Sequence, residues 1–167
     1  EQVRTADRKA ILDPPAILDM FRSLEIPGDT DFRKNREYPF VLQTGERTDY
    51  NANTVHRDPT WRKKQQDSFL RMHQALAAEL GVANGETVRL ITEHGEALVP
   101  ALVTDDIYPG NLSMPHGYGL LWENAATGRL EPVGTNVQEL VSARHRDPMT
   151  GIPLHKYIPA MVKKVRG

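Results

Sequence analysis

Apolar residues recur at every second position along two stretches of this chain, which is the period of a β-strand with one buried face. Val88 and Leu90 lie in the first stretch, and residues 158–165 form the second. An apolar run over residues 97–103 follows the first stretch after a His94-Gly95 turn, and two strands joined by a short turn with glycine predict a β-hairpin. Short apolar runs predict further strands over residues 39–44, 69–72 and 111–114.

Two other segments have the spacing of an amphipathic helix. The first is predicted over residues 14–24, after Asp13 as a cap, and its apolar face consists of Ile17, Leu18, Phe21 and Leu24. The second covers residues 73–80 and ends at Gly81. Residues 28–37 are polar and have few apolar anchors. We therefore interpret residues 1–37 as an N-terminal extension and residues 38–167 as a compact domain.

Six or more short strands with one or two helices predict a mainly β fold. Sheets of short strands commonly close into a barrel, because closure removes the exposed strand edges. We therefore expect a β-barrel with a few short helices, in which the stretch over residues 158–165 is the closing strand.

Composition limits the function classes. A chain of 167 residues with 39% hydrophobic content can bury the core of one domain. Its net charge of -1 argues against a broad surface for nucleic acid or anionic lipid, so no nucleic acid partner is expected. Without cysteine, these residues hold no iron-sulfur cluster or thiolate zinc site. No apolar stretch approaches the roughly 20 residues of a membrane span, so we expect no membrane segment and a cytoplasmic location.

Three loops place polar side chains in glycine or proline turns directly after an apolar run. They begin at Thr44-Gly45, at Met114 and at Asp147, and the first continues into a loop rich in Asn, Arg and His. Turns of this kind expose backbone N–H groups without obstruction by side chains. Such a set of loops suits a large, anionic ligand with many hydrogen-bonding groups.

These residues carry a resemblance to a known family. The segments LQTGER, YNANT, RDPTW and FLRMH are followed by AAELGVANGETVRLITEHGEALVP, then by MPHGYG and TNVQELVSARHRDPMTGIPLHKYIP. Their order and spacing over residues 38–165 resemble the C-terminal molybdopterin-dinucleotide-binding domain of molybdenum oxidoreductases. The most similar subfamily is the formate-dehydrogenase-like group of the dimethyl-sulfoxide-reductase superfamily. The resemblance implies a double-psi β-barrel of the aspartate-decarboxylase-like type.

The resemblance also implies a set of cofactor-binding residues and no catalytic residue or metal ligand in this chain. Glu46 inserts between Gly45 and Arg47, which fall on the Thr-Gly-Arg element of the family. Turn N–H groups with Arg47 or Lys156 would bind a pyrophosphate, and Asn amides would read pterin and guanine edges. The predicted residues are Thr44, Gly45, Arg47, Asn51, Asn53, Thr54, Arg57, Pro115, His116, Gly117, Asn136, Asp147, His155 and Lys156.

The function implied is that of a cofactor-holding domain. The ligand would be molybdopterin guanine dinucleotide, bound as a pair with molybdenum or tungsten in the full-length enzyme, and no iron-sulfur cluster lies in this part. Its partners would be the remaining domains of the same polypeptide, and residues 1–37 would be the tail of the preceding domain. The isolated domain is expected to be inactive, while the full-length parent would be a formate-dehydrogenase-like oxidoreductase.

Several alternatives remain open from the sequence. A β-barrel can serve as a protein- or peptide-binding adaptor without catalytic activity. Thr44-Gly45 can be a simple strand end, Asn136 can cap a following turn and Asp147 can stabilise its own turn. One feature separates the two functions, because cofactor binding requires the loops of Thr44, His116 and Asn136 to share one rim of the barrel.

Overall fold

The computed structural model describes residues 5–10, 12, 14–23, 37–46, 59, 68–147 and 149–165. Within these residues the chain forms eight strands, two α-helices and one 3-10 helix. The helices are α1 (Pro15–Arg22), α2 (Gln74–Leu80) and the 3-10 helix Val137–Leu140. The strands are β1 (Phe40–Glu46), β2 (Leu70–His73), β3 (Thr87–Thr92), β4 (Glu96–Thr104), β5 (Asn111–Pro115), β6 (Leu120–Glu123), β7 (Leu130–Val133) and β8 (Ile158–Lys164).

Six of the strands form a closed barrel in the order β1-β5-β2-β4-β3-β8. Strands β1 and β5 pair in parallel, as do β2 and β4, and the other neighbours are antiparallel. Every second side chain points inward, and the fully buried ones include Leu42, Met72, Leu90, Leu112 and Met114. The predicted mainly β barrel with a few short helices is confirmed, including the hairpin around His94-Gly95 and the closing strand.

Strands β6 and β7 form a separate antiparallel hairpin that the sequence interpretation missed. All four residues of β6 are exposed, although three of them, Leu120, Leu121 and Trp122, are apolar. The alternation that predicts a half-buried strand is therefore absent from this segment. Gly119 N–H donates to the carbonyl of Val133 at 2.8 Å and fixes the start of the hairpin.

The two α-helices differ in how they are anchored. In α2, His73 caps the N-terminus by accepting from the N–H of Ala75 at 3.0 Å, and Gly81 ends the helix in the left-handed conformation. Helix α1 has Pro14 at its N-cap and buries none of its residues, so its apolar side chains are left exposed to solvent. The proposed cap Asp13 and the apolar Leu24 lie outside the described residues.

A buried hydrogen bond joins the turn between β3 and β4 to the 3-10 helix. The hydroxyl of Thr92 donates to the carbonyl of Leu140 at 2.8 Å, and Thr92 Oγ1 accepts from the N–H groups of His94 and Gly95. Gly95 allows the close approach, because a Cβ there would lie 2.6 Å from the carbonyl oxygen of Glu139. The turn is therefore fixed against the last residues of the 3-10 helix.

Candidate functional site

The end of strand β1 contains a β-bulge at Gly45. Thr44 pairs with Met114 and Glu46 with Pro115, so Gly45 has no partner residue on β5. Its φ of +81° is in the left-handed region, which glycine adopts without a steric penalty. The Thr-Gly element is thus part of the barrel wall, and the bulge turns the chain at the rim.

Gly45 lies against two of the other predicted residues. A Cβ on Gly45 would be 3.4 Å from Lys156 Nζ and 3.5 Å from His116 Nδ1. An ammonium group and an imidazole therefore lie side by side next to a residue without a side chain. The structure brings these three predicted residues together from positions far apart in the sequence.

Lys156 is held in place by the carbonyl groups of the bulge. Its Nζ donates to the carbonyl of Thr44 at 2.6 Å and approaches that of Gly45 at 3.5 Å. The N–H and the hydroxyl of Thr44 both donate to the carbonyl of His155 at 3.0 Å. An ammonium group has three donors, so one remains for a ligand beyond the two carbonyls.

His116 has a buried ring nitrogen without a hydrogen-bond partner. Among the described residues, no donor or acceptor pairs with Nδ1 of His116, which solvent does not reach. An unsatisfied buried polar atom costs about 1–3 kcal/mol, so native proteins rarely keep one without a reason. A ligand that hydrogen-bonds to this nitrogen would remove that cost.

The loops that carry these residues share one rim of the barrel. Strands β1 and β5 are parallel, so Gly45 and His116 follow the same edge, and β8 is antiparallel to β1, so Lys156 precedes β8 at that edge. Asn136 belongs to the same cluster of loops, because a Cβ on Gly119 would lie 2.5 Å from its backbone nitrogen. The arrangement that cofactor binding requires is present.

The side chain of Asn136 forms hydrogen bonds with residues that directly follow it in the sequence. Its Oδ1 accepts from the N–H of Gln138 at 3.1 Å and its Nδ2 donates to Glu139 at 3.3 Å, so Asn136 caps the 3-10 helix. The capping alternative is therefore observed, and a contact of Asn136 with cofactor stays a prediction.

Asp147 also serves its own turn. Its Oδ1 accepts from the N–H of Thr150 at 2.7 Å, from the Thr150 hydroxyl at 2.8 Å and from the N–H of Met149 at 3.1 Å. These bonds lower the pKa of Asp147 below its ordinary value, and the bond from the Thr150 N–H has the largest effect. A contact with the cofactor stays a prediction for Asp147, as it does for Pro115 and Gly117 at the His116 turn.

Because the pKa of Asp147 is lowered in the folded state, its carboxylate stabilises the fold above its unfolded pKa, and this stability is lost as the pH falls through the folded value. We expect Asp147→Asn to lower the urea midpoint of the chain at neutral pH, with a difference that narrows in acid. Glu123→Gln is the control, because it removes a carboxylate at an exposed position. If the urea midpoints of the wild type and Asp147→Asn differed by the same amount at every pH, this role of the Asp147 carboxylate would be contradicted.

Five predicted residues lie outside the described residues: Arg47, Asn51, Asn53, Thr54 and Arg57. Their roles stay predictions from the family resemblance.

The inserted residue Glu46 has a structural role beside the site. Its carboxylate forms a two-pronged ion pair with Arg71, at 2.6 Å from Nη2 and 3.1 Å from Nε, and accepts from the hydroxyl of Ser113 at 2.8 Å. The side chains of Glu46 and Arg71 are only 18% and 22% exposed. The pair links β1 to β5 and β2 at the point where the bulge ends.

We expect Glu46→Gln to lower the free energy of unfolding by about 1–3 kcal/mol, because the half-buried Arg71 loses a charged hydrogen-bond partner. The matched control is Glu96→Gln, which breaks the pair of Glu96 with Arg89 at a surface where both side chains are about half exposed. That change should cost less than about 1 kcal/mol. Urea denaturation of the chain measures both, and equal effects would show that the Glu46 pair adds nothing beyond a surface contact.

Comparison with known proteins identifies the family of this domain. A sequence model described as "Molydopterin dinucleotide binding domain" matches residues 40–159, which is more than half of the chain. The chain belongs to the molybdopterin dinucleotide-binding domain family. The predicted family, that of dimethyl-sulfoxide-reductase-type molybdopterin enzymes, is thereby confirmed, and so is a molybdopterin dinucleotide, the cofactor that carries molybdenum or tungsten, as the ligand of this domain family. The comparisons give the adaptor interpretation no support.

Relatives of this molybdopterin dinucleotide-binding domain include large enzyme subunits. The F420-dependent formate dehydrogenase 1 subunit alpha of Methanococcus maripaludis is 28% identical over 139 residues, which are 82% of this chain and 18% of the relative. Acetylene hydratase of Syntrophotalea acetylenica is 33% identical over 84 residues, 49% of this chain and 11% of the relative. The chain thus spans about a fifth or less of these relatives.

A solved structure supports the same family fold. Acetylene hydratase from Pelobacter acetylenicus matches with a TM-score of 0.65 and 26% identity, over 78% of this chain and 19% of that one.

Within the described part of the molybdopterin dinucleotide-binding domain, no helix has both the length and the apolar character needed to cross a bilayer.

Proposed function

We propose that the rim formed by Gly45, His116 and Lys156 binds the anionic part of a molybdopterin guanine dinucleotide. The observation that carries this proposal is the buried, unpartnered Nδ1 of His116 beside the ammonium group of Lys156, both facing a glycine. A cation and a ring nitrogen next to open backbone suit a phosphate or pterin oxygen, so the residues fit the cofactor of the family. When bound, the cofactor supplies the metal and the redox chemistry of the parent enzyme.

The chain's own residues would bind and orient this cofactor. Lys156 would keep its position on the carbonyl of Thr44 while its remaining N–H points to the ligand. His116 would pair its buried nitrogen with a group of the cofactor, and Gly45 would let that group approach the backbone. Arg47, Asn51, Asn53, Thr54, Arg57, Asn136, Asp147 and His155 are proposed to complete the contacts.

The parent protein is proposed to be a larger molybdenum or tungsten oxidoreductase of the formate-dehydrogenase-like group. Relatives named for formate and for acetylene share this domain, which supports a contribution to the cofactor rather than to the substrate. Residues 1–37 would be the tail of the preceding domain, and the remaining domains of the same polypeptide would cover the cofactor from the other side. The exposed apolar face of α1 is consistent with such a neighbour.

Metal and pterin analysis of the full-length protein tests this function. The protein is expressed with molybdate or tungstate supplied, purified without denaturation, and assayed for metal, pterin and guanine nucleotide. We expect His116→Ala and Lys156→Ala to reduce all three, because each removes one polar group from the rim. Lys163→Ala is the matched control at an exposed position. Equal cofactor content in all three variants would overturn the assignment of this rim.

A further inference from the structure

A second group of polar side chains lies on the same rim, on the other side of strand β8. Glu93 and His94 belong to the turn between β3 and β4, and His145 lies between the 3-10 helix and β8. One ligand atom from each residue lies within 4.8 Å of the other two. His145 Nε2 is 3.3 Å from Glu93 Oε2, and the rings of His94 and His145 have centroids 5.5 Å apart.

We propose that Glu93, His94 and His145 form a binding site for a divalent transition metal, with zinc as the best match. Imidazole and carboxylate groups are the ligands that zinc takes together. Zinc bonds of about 2.0–2.1 Å in a tetrahedral arrangement separate neighbouring ligand atoms by about 3.3 Å. Glu93 Oε2 and His145 Nε2 are already at that separation, and a ring nitrogen of His94 lies within 4.8 Å of both ligand atoms.

The backbone positions of the three ligands are fixed before any metal binds. The hydroxyl of Thr92 holds the turn of Glu93 and His94 to the carbonyl of Leu140. The carbonyl of His145 accepts from the N–H of Leu154 at 2.9 Å. The metal would therefore bind side chains whose backbone segments are already anchored, which keeps the entropic cost of binding low.

The fourth coordination position opens into a cavity. A space of about 250 Å³ adjoins the three side chains and is also lined by Ser142, His155 and Tyr157. It has room for a water molecule as the fourth ligand. The site is thus a three-residue zinc site with one exchangeable position.

None of the three proposed zinc ligands is a proposed cofactor contact, and bound zinc would link two segments of the rim. It joins the turn after β3 to the segment before β8, and the bond between His145 and Leu154 passes the constraint to the residues next to Lys156. Bound zinc would therefore stiffen the segment that presents Lys156 to the pterin site.

Zinc titration of the full-length protein tests the proposal. Zinc affinity is measured by competition with a chromogenic chelator, and zinc content by elemental analysis after gel filtration. We expect one zinc more per chain in the wild type than in the double variant His94→Ala with His145→Ala. Glu93→Gln should weaken zinc binding by about ten-fold or more, while its matched control Glu79→Gln, an exposed carboxylate on α2, should not.

A second readout separates a lost site from a misfolded variant. Hydrogen exchange over residues 141–157 should slow on addition of zinc in the wild type and in Glu79→Gln, but not in Glu93→Gln. Glu93→Gln should also keep its molybdenum and pterin content, which shows that it is folded. Equal zinc affinity and stoichiometry in the wild type, Glu93→Gln and the double variant would overturn the proposal, whatever the result for the pterin site.

Discussion

Replacing Gly45 by valine is expected to remove most of the pterin dinucleotide and its metal from the full-length protein. The new methyl groups would fill the space next to Lys156 Nζ and His116 Nδ1, which lie 3.4 and 3.5 Å from a Cβ at this position. Loss of a hydrogen bond to a charged group costs about 1.5–3 kcal/mol, which corresponds to about ten-fold to one-hundred-fold in affinity. Pterin fluorescence after oxidation and elemental analysis measure the loss.

Gly85→Val is the matched control for this change. Gly85 has the same φ of +81°, so valine there suffers the same backbone strain, but a Cβ at Gly85 has open space within 4 Å. Both variants should lose a similar free energy of unfolding, because a non-glycine residue with positive φ costs about 1–2 kcal/mol at either position. Only Gly45→Val should lose cofactor. If both variants lost cofactor equally, strain in the barrel rather than access to the rim would be the cause.

Leu112→Ala is expected to have the largest effect on stability. Leu112 is fully buried in β5, where it is the pairing partner of Leu42 in the neighbouring β1 and of Met72 in the neighbouring β2. Truncation of such a leucine costs about 2–5 kcal/mol, the lost transfer energy plus the cavity that remains. This is a large part of the stability of a small domain. Urea denaturation of the 167-residue chain measures the change.

Leu121→Ala is the control for Leu112→Ala. Leu121 lies on β6 and is 61% exposed, so its truncation leaves no internal cavity. Its effect on the free energy of unfolding should stay within about 0.5 kcal/mol. If Leu121→Ala lowered the free energy of unfolding by several kcal/mol, the hairpin of β6 and β7 would have to pack on a surface outside the buried core.

The barrel itself was predictable from the sequence because its strands bury one face. Val88, Leu90, Ala160 and Val162 are buried at alternate positions, so the period of two is visible in the sequence. Strand β6 was not predictable in this way. Among the described residues it pairs only with β7, and its exposure leaves no alternation between apolar and polar residues.

The cluster at the rim was predictable only in part. Family resemblance pointed to Gly45, His116 and Lys156, but no local pattern states that a lysine 111 residues after a glycine bonds to its carbonyl. That contact follows from the pairing of β1 with β8. The local alternatives for Asn136 and Asp147 were visible in the sequence, because capping and turn formation depend on the next few residues.

The group of Glu93, His94 and His145 escaped the sequence interpretation for a physical reason. Adjacent residues of a turn rarely indicate a metal site, since helical ligand pairs have a spacing of three or four residues. His145 is far from this turn in the sequence, and the hydrogen bond of Thr92 to Leu140 joins the two segments. A long-range contact of this kind leaves no periodic signal in the chain.

The position of β1 in the barrel has a consequence for biosynthesis. Its two neighbours are β5 and β8, so the earliest strand of the domain to leave the ribosome pairs with the last one. Until residues 158–164 have emerged, β1 has an open edge and Lys156 cannot reach Thr44. If Lys156 holds the pterin dinucleotide as proposed, insertion of the cofactor would follow the synthesis of β8, and the edge of β1 stays open until then.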